Sequence, residues 1–470
     1  MESVSEVEKR RGHGKSLRQK VPRRAHEAIG NVDRDPIRLL EQSSAGRVER
    51  LIPLRYGRMI ASPFTFYRGS AIIQAHDLAG TPNSSLTLQI CGDCHLSNFG
   101  GFATPERALL FDLNDFDETS PGPWEWDLKR LAASFVVAAR HLKHSAAAAD
   151  EMVFEVVNSY RNHMADYAEM GVLDTWYDHI TFERLLEISI DPEVQKRIRR
   201  AMERASARTH EALLPKLTER EGERWRILDA PPAIFHVRGE QTLFDAKDDW
   251  LSIDDPATVV QECFRDYTRT LAPDRQQLLA HFKLHDMAFK VVGVGSVGTR
   301  CLIQLMIDSH GKPLFLQVKE ATKSVVARFF KSPAVRHEGQ RVVEGQRLMQ
   351  AASDPFLGWS NGPFGRHFYL RQLRDMKFSA DIELMDAQML AMYGRVCGWV
   401  LARAHAKAGG LAPEISGYLG ASDRMAESMV AYSNAYADQV ERDYEVFVKA
   451  CRSGRLEART DTDMTADFRV

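Results

Sequence analysis

Residues 286–321, DMAFKVVGVGSVGTRCLIQLMIDSHGKPLFLQVKEA, constrain the fold more than any other stretch of the chain. The pattern reads strand, glycine-rich turn, strand, hairpin turn at His310-Gly311, then strand. In a dinucleotide-binding fold a G-x-G-x-x-G turn runs directly into a helix. Here Arg300 to Ile307 has strand character instead, so a doubly wound Rossmann start is excluded. What remains is a glycine turn (Gly293, Gly295, Gly298) between antiparallel strands. Such a turn can close over phosphates, because missing side chains let backbone N–H groups approach. Lys319, in the third strand, is placed to reach phosphate oxygens, and a buried lysine needs a carboxylate partner. The following helical segment, SPAVRHEGQRVVEGQRLMQAA, offers Glu338 and Glu344. Glu344 is preferred, since it falls at mid-helix within the apolar pattern of Val342, Val343 and Leu348.

A second constraint lies upstream, in CGDCHLSNFG, RALLFDLNDFDE and PWEWDLKRLA. Asp93 precedes Asn98 by five residues, Asp115 follows an apolar strand-like run, and Asp127 opens a helix. Metal-assisted phosphoryl transfer uses such a set: a carboxylate to orient the acceptor hydroxyl, and an Asn plus an Asp to hold Mg²⁺ against the phosphates. Each motif alone also fits a turn, because Asp and Asn side chains bond nearby backbone groups. Their order and spacing together favour the catalytic reading. Cys91 to His95 fits C-x-x-C-H as well, the pattern of covalent haem attachment. The surroundings suit a phosphate site better, and a zinc site from the same three residues has no obvious fourth ligand nearby.

Between these landmarks the periodicity predicts helices over 25–60, 124–143, much of 146–220, 255–271, 332–352, 386–409 and 422–450. It predicts strands at SLTLQICGD and RHFYLRQLRDMK, and turns at Arg68-Gly69 and at 121–123. His405 reads as a packed or capping residue, Arg68 as a structural ion-pair partner, and Trp124 and Trp126 as core.

Composition narrows the function classes. A formal net charge of −2 argues against a general nucleic-acid binder. No apolar run approaches the roughly 18 residues of a membrane span. Residues 1–24 carry eight Lys/Arg against three Glu with no apolar stretch, which suggests a solvated flexible tail and not a signal peptide. Six scattered cysteines do not form a secreted disulfide framework, so a soluble, reduced, cytoplasmic protein is expected.

Laid out in this way, the chain resembles the protein-kinase-like superfamily, above all its aminoglycoside-phosphotransferase branch. The segments that carry the likeness are CGDCHLSN, LLFDLNDF and WDLKRLA. FYRGSA, GDCHLSNFG, FDLNDFDET, PGPWEWDLKRLAASF and GQRVVEGQRLMQ are similar to a bacterial family known only as domain-of-unknown-function family 2252. The kinase resemblance implies that Asp93 orients the acceptor, Asn98 and Asp115 bind Mg²⁺, and Asp127 supports the catalytic turn. Gly293, Gly295, Gly298, Lys319 and a helical Glu would complete an ATP site. Kinases place the glycine turn before the catalytic Asp, whereas here Asp93 precedes Gly293, so the resemblance implies a circular permutation. Asp117 stands where a protein kinase has the glycine of D-F-G.

The expected fold is therefore α+β and two-lobed: a permuted kinase-like fold with a helical insert. Its expected segments are a basic tail (1–24), the catalytic and metal-binding part of the large lobe (25–145) and a helical insert or substrate region (146–285). A small nucleotide-binding lobe (286–380), large-lobe helices (381–450) and a tail (451–470) follow. The expected activity is ATP- and Mg²⁺-dependent phosphoryl transfer to a small-molecule or protein hydroxyl. Alternatives on the same fold are an inactive nucleotide-binding module and nucleotidyl transfer.

Overall fold

A computed structural model describes residues 5–189, 191–207, 211–245, 247–373, 376 and 378–466. It is a mixed α+β structure with several antiparallel sheets. The strands are β1 (Thr87–Ile90), β2 (Phe99–Ala103), β3 (Leu109–Leu113), β4 (Ser120–Pro123), β5 (Thr218–Glu221), β6 (Arg224–Ile227), β7 (Ile234–Phe235), β8 (Lys283–Lys290), β9 (Cys301–Ile307), β10 (Pro313–Ala321), β11 (Gly358–Asn361), β12 (His367–Gln372) and β13 (Phe378–Ser379).

The largest sheet has the order β11-β12-β10-β9-β8-β7. Lys319 lies on its central strand, paired with Cys301 on one side and Tyr369 on the other. Alternating apolar residues fill both faces, with Phe289, Leu302, Leu316 and Leu370 on one and Ala288, Ile303, Leu305 and Phe315 on the other. Helix Glu338–Met349 connects β10 to β11.

The rest of the chain builds a larger, mainly helical core. At its centre is helix Trp124–His141, buried over almost its whole length, with Ala132, Ala133, Ala138 and Ala139 allowing close approach of neighbours. Helices Ala146–Glu169, Ala387–Gly409 and Arg424–Arg452 pack with it in the same core. The Ala387 helix stops where Gly410 turns left-handed at φ +59°, a conformation that favours glycine. Two short sheets, β1-β4 and β13-β2-β3, cap this core and carry the acidic turns.

The structure corrects several expectations. The basic N-terminal segment is no flexible tail over its described part. It forms helix Glu6–Leu17, started by a Ser5–Glu8 capping box. This helix docks on helix Ala412–Leu419 at backbone distance: a Cβ on Gly14 would lie 1.9 Å from the Glu414 carbonyl oxygen, and one on Gly417 2.1 Å from that of Arg11. Its cations have partners there. Arg10 pairs with Glu414 at 2.7 Å, and Arg18 and Arg23 donate to the carbonyls of Tyr418 (2.7 Å) and Leu419 (2.5 Å), at the negative end of that helix. Arg68-Gly69 ends helix Pro63–Gly69, because Ser62-Pro63 acts as N-cap and first helical residue. Residues 121–123 belong to β4, a strand of a two-stranded sheet that tolerates proline on its open edge. Within 451–470, helix Asp461–Ala466 packs back on the protein, with the Arg459 N–H donating to the Pro53 carbonyl and Met464 buried. β11 lies between the expected helix 332–352 and the expected strand RHFYLRQLRDMK. Within the expected helical stretch 146–220, β5 begins at Thr218 and pairs with β6.

Candidate functional site

The first acidic turn leaves β1 at Ile90 and reverses at Gly92, where φ is +80°. A Cβ there would come within 2.3 Å of the Glu118 carbonyl oxygen, so the turn needs glycine twice over. Asp127, in the first turn of the buried Trp124 helix, accepts the Cys91 N–H at 2.8 Å and the Gly92 N–H at 2.9 Å. His405 lies 3.2 Å from the same carboxylate and 2.9 Å from the Tyr160 hydroxyl. Asp127 and His405 therefore hold the turn from behind and do not line the cavity in front of it.

Asp93 faces that cavity. Arg130 donates to its carboxylate at 2.7 Å through Nε, and Asn98 Nδ2 donates to its backbone carbonyl at 2.8 Å. Burial pushes the Asp93 carboxyl above the usual range, while Arg130 works against that shift. Buried His95 is pushed well down, which leaves a neutral imidazole beside Asp93.

β3 delivers the second acidic turn. The Asn114 N–H donates to the Asn98 carbonyl at 2.9 Å and ties the two turns together. Asp115 accepts the Asp117 N–H at 3.2 Å, and burial followed by the neighbouring Asp117 charge raises its pKa. Asp117 is the carboxylate partner of Lys319: the ammonium donates to Oδ2 in a very short contact, and the Tyr369 hydroxyl donates to Oδ1 at 2.7 Å. Burial disfavours the Asp117 charge, but Lys319 outweighs it and holds the carboxyl below the ordinary range.

Glu344 is not the lysine's partner. It is exposed on helix Glu338–Met349 and accepts from Gln340 at 2.7 Å. Glu338 pairs with Arg341 of its own helix. The functional side chain of this helix is Arg341, which is buried and donates to the carbonyls of Thr119, Asp117 and Thr322. A buried cation donating to three carbonyls fixes the loop that presents Asp117. The visible sequence signal was Glu338-x-x-Arg341, an i,i+3 pair.

The glycine turn joins β8 to β9. Gly293 and Gly295 line a cavity of about 140 Å³ together with Asp93, Asn98, Asp115 and Asp117. Gly298 lies outside it, where its φ of +86° lets its carbonyl accept the Val48 N–H at 2.8 Å. Arg58 donates to the Gly293 carbonyl at 2.7 Å and Arg47 to that of Val297 at 2.6 Å. The N-terminal part of the large core thus grips the turn from outside.

The donors facing this cavity suit a hard cation. Among the described residues Asp115 has no ion-pair partner, and the Asn98 side-chain oxygen accepts no hydrogen bond while its amide nitrogen is used. Oxygen donors of this kind fit Mg²⁺. Glu118, on the same wall, is pushed up to about 7 by burial and accepts the Val325 N–H at 2.6 Å.

Cys91, Cys94 and Asp127 also bring ligand atoms within 4.8 Å of one another. Burial pushes both thiols up and keeps them protonated, and both Asp127 oxygens already accept amides. With both cysteines essentially sealed from solvent, the C-x-x-C-H run is a packed turn. All six cysteines are free. Among the described residues no helix is long and apolar enough to cross a membrane.

No curated protein and no solved structure matches the chain. One family model does, over residues 47–450, which takes in both acidic turns, the glycine turn and the lysine strand. The chain belongs to DUF2252, the family described as an uncharacterized protein conserved in bacteria.

Proposed function

We propose that this protein is an ATP- and Mg²⁺-dependent phosphotransferase acting on a hydroxyl-bearing acceptor, built on a circularly permuted kinase-like fold. The observation that carries the reading is one cavity. Two acidic turns and a glycine turn some two hundred residues downstream line it together, and Asp117 on its wall is paired with Lys319. The sheet supports the permutation: glycine turn, central lysine strand and connecting helix follow one another there, as the resemblance implies.

Asp93 accepts a hydrogen bond from the acceptor hydroxyl and takes its proton as the new P–O bond forms and the bond to the leaving nucleoside diphosphate breaks. Arg130 opposes the upward shift that burial imposes on that carboxyl and orients it. Asn98 and Asp115 would hold the metal, which would neutralise phosphate charge when bound. The N–H groups of the Gly293–Gly295 turn approach the phosphates from the opposite side. Positioning and charge stabilisation supply most of the rate enhancement in such chemistry.

The test is thermal unfolding with ATP plus Mg²⁺, with ATP plus EDTA, and with neither. Ligand at a hundred times its dissociation constant stabilises by about 2.7 kcal/mol, a shift of a few degrees in Tm. A shift that needs both components, and loss of transfer in Asp93→Asn with nucleotide binding retained, are the expected results. No shift at millimolar nucleotide would overturn the reading. The mass added to the acceptor separates phosphoryl from nucleotidyl transfer.

A further inference from the structure

The same cavity is also lined by Arg47, Arg55 and Arg68. Arg68 closes helix Pro63–Gly69 and stacks near the Phe64 ring, with 5.7 Å from its guanidinium carbon to the ring centroid. Its Nε is buried and bonded to nothing. Arg55 is fully buried and donates only to Ser44 Oγ (2.7 Å), Ser43 Oγ (2.9 Å) and the Gly69 carbonyl (2.9 Å), while its own Nε has no partner. Arg47 donates to the carbonyls of Ser43 (2.9 Å) and Val297 (2.6 Å).

None of these three pairs with a carboxylate among the described residues. The contrast with other deep arginines is sharp. Arg34 holds Asp77 and Asp443, Arg130 holds Asp93, Arg300 holds Asp249 and Glu320, and Arg403 holds Asp112. Burying a guanidinium without a counter-charge is costly. Burial, followed by the charge of Arg47, pushes Arg55 down to about 9. Buried Arg55 and the half-buried Arg47 and Arg68 that line the same cavity are explained by an anion that arrives from outside. Arg47 borders the glycine turn, whereas the field at Arg68 is set by burial and then by Asp93.

We propose that Arg68, backed by Arg55 and Arg47, forms an anion subsite beside Asp93 that receives a phosphate group carried by the acceptor. The acceptor class is then a phosphorylated compound with a free hydroxyl. Guanidinium forks match the paired oxygens of phosphate, and the Asp93 carboxylate is left to face the hydroxyl. The word acceptor rests on the phosphotransferase reading; the anion subsite does not.

The experiment titrates inorganic phosphate into the full-length wild type, Arg68→Gln and Arg68→Lys. Binding is followed by calorimetry, with and without a non-hydrolysable ATP analogue plus Mg²⁺. The expected result is phosphate binding to the wild type that persists with the analogue bound. It should weaken roughly tenfold or more in Arg68→Gln and less in Arg68→Lys, with analogue affinity unchanged in both. Ligand-free melting confirms that the variants fold, and Arg68→Lys serves if Arg68→Gln does not. Phosphate affinity equal in all three proteins, or absent from the wild type, would overturn the subsite. Competition between phosphate and the analogue would also overturn it and assign the arginines to the nucleotide's own phosphates. Arg68-dependent phosphate binding without any nucleotide binding would keep the subsite and remove the phosphotransferase.

Discussion

Glu118 and Lys129 are both held near pH 7 by burial, and their opposite charges give opposite pH dependences. Glu118 rises from 4.5 to about 7, so the folded protein binds an extra proton between those values. Its contribution to stability is present below pH 4.5 and lost as pH climbs through 7. Glu118→Gln is expected to lower the loss of Tm between pH 5 and pH 8, read by melting in a pH series without ligand. Lys129, sealed in the Trp124 helix, falls from 10.5 to about 7. It has a carbonyl bond to Ala28 at 3.2 Å and the Tyr432 ring at 4.4 Å, but no ion pair among the described residues. Its contribution is present above pH 10.5 and lost as pH falls to 7, at about 1.4 kcal/mol per unit. Lys129→Met is therefore expected to raise Tm, more at pH 6 than at pH 10. A gain that does not depend on pH would mean that Lys129 has the same pKa folded and unfolded and stays charged in the folded protein. Asp93, Asn98 and Asp115 stand out in the sequence because they lie within one short stretch, and the fold brings them to one cavity, whereas Asp127 of the same stretch lies behind it. Asp117 could not be read as the partner of Lys319, since 202 residues separate them and only the tertiary fold joins them.

Among elements, the long helices were legible from their apolar period, and helix Ala387–Gly409 ends at the predicted glycine pair. Short elements were misread where a local signal had two meanings. Ser-Pro at 62–63 marks a break and also a helix start, and Thr65 completes the capping box that decides it. The basic N-terminal segment looked solvated because its partners, Glu414 and the carbonyl end of helix Ala412–Leu419, lie at the far end of the sequence. This docking depends on two glycines. Gly417→Val is expected to lift helix Glu6–Leu17 from its seat, since a side chain there meets the Arg11 backbone. Limited proteolysis checks it: cleavage within residues 5–20 should become much faster than in the wild type. Equal cleavage would show that the charge contacts suffice without close approach.

For the whole molecule, composition and pattern were enough to set the α+β class, because one sheet and one helical core each have their own period. How the two fit together was not written in any window of sequence. The grip of residues 47–58 on the glycine turn and the Asp117–Lys319 contact are both products of assembly. That second contact has a kinetic meaning. Closing a loop of about two hundred residues carries a large entropy cost before any contact rewards it, and such distant pairings form slowly. Neither half of the chain holds both the acidic turns and the glycine turn. A nascent or partly folded chain therefore lacks this cavity, which is complete only when the last long-range contact has closed.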